Sequence, residues 1–233
     1  MYSTTCVSGY WQVKNKHSNN DYLKWFENSM RVNCAYVFFG TKETIELAKQ
    51  YRRELPTHYV ELNIEDFYSY KYKDRMKTDP IHCPSVELNM IWNEKIFLIE
   101  RAKQLNIFNT EYYAWIDAGI SSLRDQAPSK EIYPNFVKLA KLPTNKFIFT
   151  SSDKPSYEPE KLGTYYHFIS ATFIIHKSVV EICVTLYRYY MDKLIGPNKI
   201  CTEQVILTYI YNDFPDIFYQ LGHGYGEIIR LLS

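Results

Sequence analysis

Tyr112-Tyr113-Ala114-Trp115-Ile116-Asp117-Ala118-Gly119 is an apolar run that stops abruptly at a carboxylate, a small residue and a glycine. Apolar residues without polar alternation suit a strand in the middle of a parallel sheet, where both faces are covered. In open α/β sheets, ligands gather outside the carboxyl ends of the strands. Asp117 stands at such an end, either as a turn residue capping a loop or as a ligand for a cation that neutralises phosphates.

Upstream, strand-like segments 4–13, 34–39 and 58–62 alternate with helix-like segments 21–30 and 42–54. This alternation predicts βαβ units and a mostly parallel sheet. Tyr22, Trp25, Phe26 and Met30 recur at helical spacing, so the first helix has one apolar face. The first strand ends near Ser8-Gly9-Tyr10, where a base or ribose would lie in a doubly wound sheet. Gly40 closes the second strand at the same edge, and Thr41 caps the following helix. Residues 64–84 lack a clear period and read as an excursion from the sheet, a candidate lid. A helix over 85–104 carries Leu88, Ile91, Trp92, Ile99 and Ala102 on one face, with Lys95 in its middle and Phe97 opposite. A lysine on a buried face needs an anion, either inside the protein or on a bound ligand.

Downstream, the periodicity predicts a helix near 133–141, strands 146–150 and 168–176, and a helix over 178–194 opened by a Ser178/Glu181 capping box. Residues 151–160 read as a polar loop. Thr202-Glu203-Gln204 opens a helix through Tyr211, where Glu203 suits the helix dipole as well as a catalytic role. A short strand over 216–221 then leads into Gly222-His223-Gly224-Tyr225-Gly226, a loop whose glycines let backbone approach a ligand. The 233 residues fit one α/β domain.

Twenty-seven Lys and Arg balance 26 Asp and Glu, so no electrostatic footprint for nucleic acid or an anionic membrane exists. Aromatics reach 17%, with 22 tyrosines; this suits surfaces that stack on sugars or bases, and equally reflects biased codon usage. The five cysteines have no metal-site spacing and read as reduced core residues. The sequence predicts neither a signal peptide nor a membrane span, and a cytoplasmic location.

Asp117-Ala118-Gly119 resembles the DxD signature of GT-A glycosyltransferases, with glycine in place of the second acid. Tyr22-Leu-Lys-Trp-Phe26, Tyr36-Val-Phe-Phe-Gly40, Arg53-Glu-Leu-Pro-Thr57, Trp92 to Lys95 and Trp115-Ile-Asp-Ala-Gly-Ile120, in this order, together resemble the HtrL/YibB family of bacterial and viral proteins. That family is linked to surface-polysaccharide or lipopolysaccharide assembly. The resemblance implies a single GT-A-like domain that moves a sugar from a nucleoside-diphosphate sugar to a glycan acceptor hydroxyl. It implies Mn²⁺ or Mg²⁺ held by Asp117 and His223 against the diphosphate, with Gly119 departing from the motif. It places Lys95 at the donor phosphates, Ala118 beside the donor, and Glu203-Gln204 toward the acceptor. Inversion would need a base to take the acceptor proton, with Glu203 first and Asp153 second; retention would leave Glu203 to position the acceptor.

Two other readings compete. A haloacid-dehalogenase phosphatase also ends an apolar strand in Asp, but needs a second Asp where Gly119 stands, and its strand comes early in the chain. A non-enzymatic reading covers a GT-A-like module that binds a nucleotide sugar or glycan without turnover, motivated by the missing second acid, and an interaction domain, which the tyrosine richness would accommodate.

Overall fold

The computed structural model describes residues 2–152, 168–196 and 200–233. Seven strands form one sheet: β1 (Thr4–Tyr10), β2 (Ala35–Gly40), β3 (Thr57–Glu61), β4 (Tyr112–Trp115), β5 (Phe147–Ser151), β6 (Ile169–His176) and β7 (Phe218–His223). Their spatial order is β3-β2-β1-β4-β6-β5-β7. β1 pairs in parallel with β2 and β4, with Val7 opposite both Val37 and Trp115. β2 and β3 pair in parallel, as do β5 and β7, whereas β6 runs antiparallel to β4 and β5. This is the α/β domain with a mostly parallel central sheet that the sequence predicts.

The helices are α1 (Asn19–Met30), α2 (Lys42–Arg52), α3 (Val86–Leu105), α4 (Phe136–Leu139), α5 (Val180–Leu194), α6 (Glu203–Asp213) and α7 (Ile228–Leu232). Alternate strand residues face opposite layers. Val7, Val37, Trp115, Phe149 and Phe173 join a core with α3, α5 and α6. Cys6, Tyr36, Phe38, Ala114 and Ile174 join a second core with α1, α2 and α7. Both faces are covered, which is why the strands read as unbroken apolar runs. All five cysteines are free and buried.

Caps set the helix starts. Ser18 accepts from Asp21 N, Thr41 from Thr44 N, and Ser85 from Leu88 N. The expected capping box at the fifth helix is absent: His176 caps Ser178 N instead, and Glu181 pairs with Lys103 at 2.7 Å. Phe97 is buried like the opposite face of α3, because this helix is wedged between the sheet and α5. That explains its imperfect amphipathicity. Within residues 64–84, two 3₁₀ turns, Ile64–Asp66 and Tyr68–Tyr72, pack down with Phe67 and Tyr72 buried; Met76 is buried beyond them, while Ile81 and its neighbours are exposed. The second turn is pinned by Glu94, which accepts from Tyr68 N at 3.0 Å and Ser69 N at 2.9 Å. Among the described residues, no helix is long and apolar enough to cross a membrane.

Beneath the β2–α2–β3 unit, the fully buried Arg52 donates to the carbonyls of Met30, Val32, Cys34 and Pro56 and to Thr57 Oγ1. Its guanidinium lies 4.1 Å from the centroid of the Tyr36 ring. A charge without a carboxylate is tolerated here because the guanidinium fork meets fixed carbonyl dipoles.

Candidate active site

At the end of β4, Ile116 N still donates to Val7 O at 3.0 Å, and the chain then leaves the sheet at Asp117. Trp115 Nε1 donates to Asp117 Oδ1 at 2.7 Å. Lys95 Nζ reaches the same oxygen at 2.8 Å and Glu203 Oε1 at 2.5 Å. Three elements thereby converge: the middle of α3, the end of β4 and the first residue of α6. Lys95 and Glu203 are 1% and 2% exposed, so this is a buried cluster with one formal positive charge against two negative ones. Burial works to neutralise Lys95, but Asp117 and then Glu203 outweigh it and hold the amine protonated beyond the usual lysine range. Burial pushes the Glu203 carboxyl up, against the pull of Lys95.

A cavity of about 470 Å³ opens over this cluster, outside the carboxyl ends of β1 and β4. Its aromatic lining comprises Tyr10, Trp11, Tyr22, Trp92, Trp115 and Tyr225. Tyr10 and Tyr22 stack at 5.2 Å and 17°. Trp11 folds back over Gly9, where a Cβ would come within 2.5 Å of its ring, and donates to Leu62 O at 2.8 Å. Burial, and next the Asp117 carboxylate, raise the phenols of Tyr22 and Tyr225, so both remain hydroxyl donors. Lys16, His17 and Arg124 also line the cavity, and the Arg124 guanidinium lies 4.0 Å from the Trp25 ring centroid.

The profile of a family described as "Bacterial protein of unknown function (HtrL_YibB)" matches residues 51–232. The chain belongs to the HtrL_YibB family. No curated protein sequence matches it significantly. Among solved structures, a 4-diphosphocytidyl-2C-methyl-D-erythritol synthase from Anaerococcus prevotii superposes with a TM-score of 0.48 at 10% identity, covering 99% of this chain and 96% of that one. The glycosyltransferase GlyE of Streptococcus pneumoniae superposes with a TM-score of 0.45 at 10% identity, covering 94% of this chain and 45% of GlyE. At these scores neither likeness bears on activity.

In this HtrL_YibB chain, the cavity brings together Gly9, Tyr10, Lys95, Asp117, Ala118, Gly119 and Glu203, all singled out by sequence. Ser8 and Gly40 do not line it. Ser8 is buried, and its Oγ has no partner among the described residues. Gly40 is glycine for packing, since a Cβ there would lie 2.3 Å from Thr44 Oγ1 and 2.9 Å from Tyr10 O. His223 is likewise outside the cavity lining. It belongs to β7 instead of the expected loop, with Nδ1 2.7 Å from Ser151 Oγ. Asp153 lies outside the described residues.

Lys95 has internal partners, the first of the two possibilities that its position on a buried face raised. Sequence reasoning missed Trp11, Lys16, His17, Arg124 and Tyr225 as lining residues. The first strand ends at Tyr10, as expected, and residues 11–13 of the strand-like segment join the loop at its carboxyl end, which runs to Ser18. That loop carries three of the missed groups, and the strand-end rule would have found them.

The donor set limits how a cation can be held. Among the described residues, no cluster of three His, Cys, Asp or Glu side chains is arranged for a metal. A Cβ at Gly119 would lie 3.0 Å from the Tyr22 ring, so a second acid there meets an occupied space. Asp117 Oδ1 is already bonded to Trp115 and Lys95, while Oδ2 takes no hydrogen bond from a described residue. One protein oxygen therefore fits a hard cation that arrives with its own phosphate and water ligands.

Proposed function

We propose that this protein is a glycosyltransferase that moves a sugar from a nucleoside-diphosphate sugar to a hydroxyl of a glycan acceptor. One observation carries the reading: a buried ammonium joins two carboxylates from separate elements at the floor of an aromatic-walled cavity outside the strand ends. Aromatic walls suit a base and a sugar ring. In the reaction, the acceptor oxygen bonds to the anomeric carbon, the bond from that carbon to the diphosphate oxygen breaks, and the nucleoside diphosphate leaves with the electron pair. Glu203 is the base that takes the acceptor proton; its elevated proton affinity suits that task, and Lys95 holds it in place. Asp117, fixed by Trp115 and Lys95, offers Oδ2 to Mn²⁺ or Mg²⁺ borne by the diphosphate, which would supply charge neutralisation as the leaving group departs.

A second reading, a module that binds nucleotide sugar without turnover, draws on the Tyr22 ring that fills the space beside Gly119. Asp117→Asn and Glu203→Gln separate the two. For an enzyme, release of nucleoside diphosphate from the donor falls at least about a hundredfold in Glu203→Gln while donor affinity stays within a few-fold. If no release is detectable in wild type despite donor binding, the module reading holds.

A further inference from the structure

Lys95, the natural choice for a phosphate-binding cation, is committed. Its amine serves Asp117 and Glu203 and lies 3.5 Å from Ala171 O, leaving a cluster with formal excess negative charge at the cavity floor. A diphosphate brought directly against that cluster, without a cation between, would meet repulsion.

Elsewhere on the cavity wall the charges have the opposite sign. Lys16 and Arg124 both line the cavity, and neither forms an ion pair with a carboxylate among the described residues. Arg124 is oriented by the Trp25 ring at 4.0 Å and by two long contacts, 3.4 Å each, from Nε and Nη2 to Gly119 O. His17, the next residue after Lys16, presents a buried Nε2 with no hydrogen-bond partner among the described residues. Its ring packs edge-on against the same Trp25 at 4.8 Å and 85°. The loop that carries Lys16 and His17 is not slack: Asn15 Oδ1 accepts from His17 N at 2.7 Å, and Ser18 caps α1. Lys16 is exposed at the cavity mouth; partial desolvation, and next Arg124, lower its amine, while Glu203 and Asp117 pull it back up. Two like charges on one cavity wall, with an orphaned imidazole nitrogen between Lys16 in sequence and the Trp25 ring that Arg124 also covers, make an arrangement that an oxyanion completes.

We infer that Lys16, His17 and Arg124 form the side of the cavity that binds the diphosphate directly, while the Lys95 cluster meets it only through a cation at Asp117 and otherwise serves the reacting sugar and acceptor. This assignment rests on the nucleotide-sugar reading. The pyrophosphoryl oxygens accept from the Arg124 guanidinium and the Lys16 amine, and from His17 Nε2 in the tautomer that carries its proton. Burial and the neighbouring cations Arg124 and Lys16 keep that imidazole neutral.

The test uses the full chain, with Lys16→Gln, Arg124→Gln and the double variant, and Arg124→Lys as the charge-preserving control. UDP, GDP, CDP and ADP are titrated by calorimetry against their parent nucleosides, with and without Mn²⁺. Wild type is expected to bind one diphosphate far more tightly than its nucleoside, in a salt-dependent way. Each Gln variant should lose about tenfold or more in diphosphate affinity, as for a charge-assisted hydrogen bond, with nucleoside affinity unchanged. Unliganded melting temperatures report whether a variant still folds, and Arg124→Lys should retain part of the affinity. If wild type binds a diphosphate and the double variant binds it equally well, the inference falls and the nucleotide-sugar reading stands. If wild type binds no nucleotide at all, both fall.

Discussion

Replacing Lys95 with Met keeps most of the side chain's apolar stem and removes the charge that two carboxylates share. Glu203, 2% exposed, would then face the partly exposed Asp117 without compensation in a medium that solvates Glu203 poorly. Removing one partner of a buried ion pair costs about 3–5 kcal/mol. For a chain of this size that corresponds to a melting temperature lower by roughly 10 °C. The loss has a pH signature. Burial already raises the Glu203 carboxyl, and without Lys95 it rises further, so protonation relieves the repulsion. The deficit of Lys95→Met relative to wild type is therefore largest at alkaline pH and shrinks as pH falls through the raised carboxyl pKa. Adding Glu203→Gln to Lys95→Met should recover stability, with a coupling of about 1–3 kcal/mol in a double-mutant cycle. Thermal unfolding at pH 5 and pH 8 measures all of this. A Lys95→Met protein that melts like wild type at pH 8 would refute the claim that Lys95 is the counter-ion of the two carboxylates.

Two further outcomes test the scaffold around the site. Arg52→Met leaves Met30 O and Cys34 O without the Arg52 donor, while Val32 O and Pro56 O keep Cys34 N and Tyr36 N; at about 1 kcal/mol for each carbonyl left unpaired, chemical denaturation should show about 2 kcal/mol less stability, with Arg52→Lys recovering only part. Glu94, which pins the Tyr68–Tyr72 turn, is pushed by burial from 4.5 to about 7, against the pull of its backbone donors. A carboxyl raised in the folded state contributes stability below its unfolded pKa that is lost as pH rises through the folded value. Stability should therefore fall by up to about 3 kcal/mol between roughly pH 4.5 and 7, and Glu94→Gln should flatten that part of the curve.

Local features of the chain carried much of this arrangement. The apolar run ending in Asp117 marks a sheet-centre strand and its exit toward the cavity, because a strand with one face in water would alternate polar and apolar residues. Lys95 stood out because a charge on a buried helix face demands a partner. Its partner Glu203 is 108 residues away, however, and no local pattern joins the two. Thr202-Glu203 looked like a simple helix start, yet Thr202 makes no side-chain cap bond and Glu203 turns inward. The strand β6 was legible but its antiparallel direction was not, because its residues, buried like those of its parallel neighbours, show the same apolar run. Arg124 and Lys16 escaped notice for the opposite reason. A single basic residue in a polar stretch is ordinary, and only the meeting of the two on one cavity wall gives them meaning.

Whether the cavity over Lys95, Asp117 and Glu203 holds a nucleoside-diphosphate sugar is tested most directly by calorimetric titration of the wild-type chain with a panel of nucleotide sugars, each with and without Mn²⁺. Saturable one-to-one binding of donors sharing one base is expected, weakened at least about tenfold by Asp117→Asn in the presence of the ion. Absence of binding by every nucleotide sugar under both conditions, from protein that melts cooperatively, would contradict it.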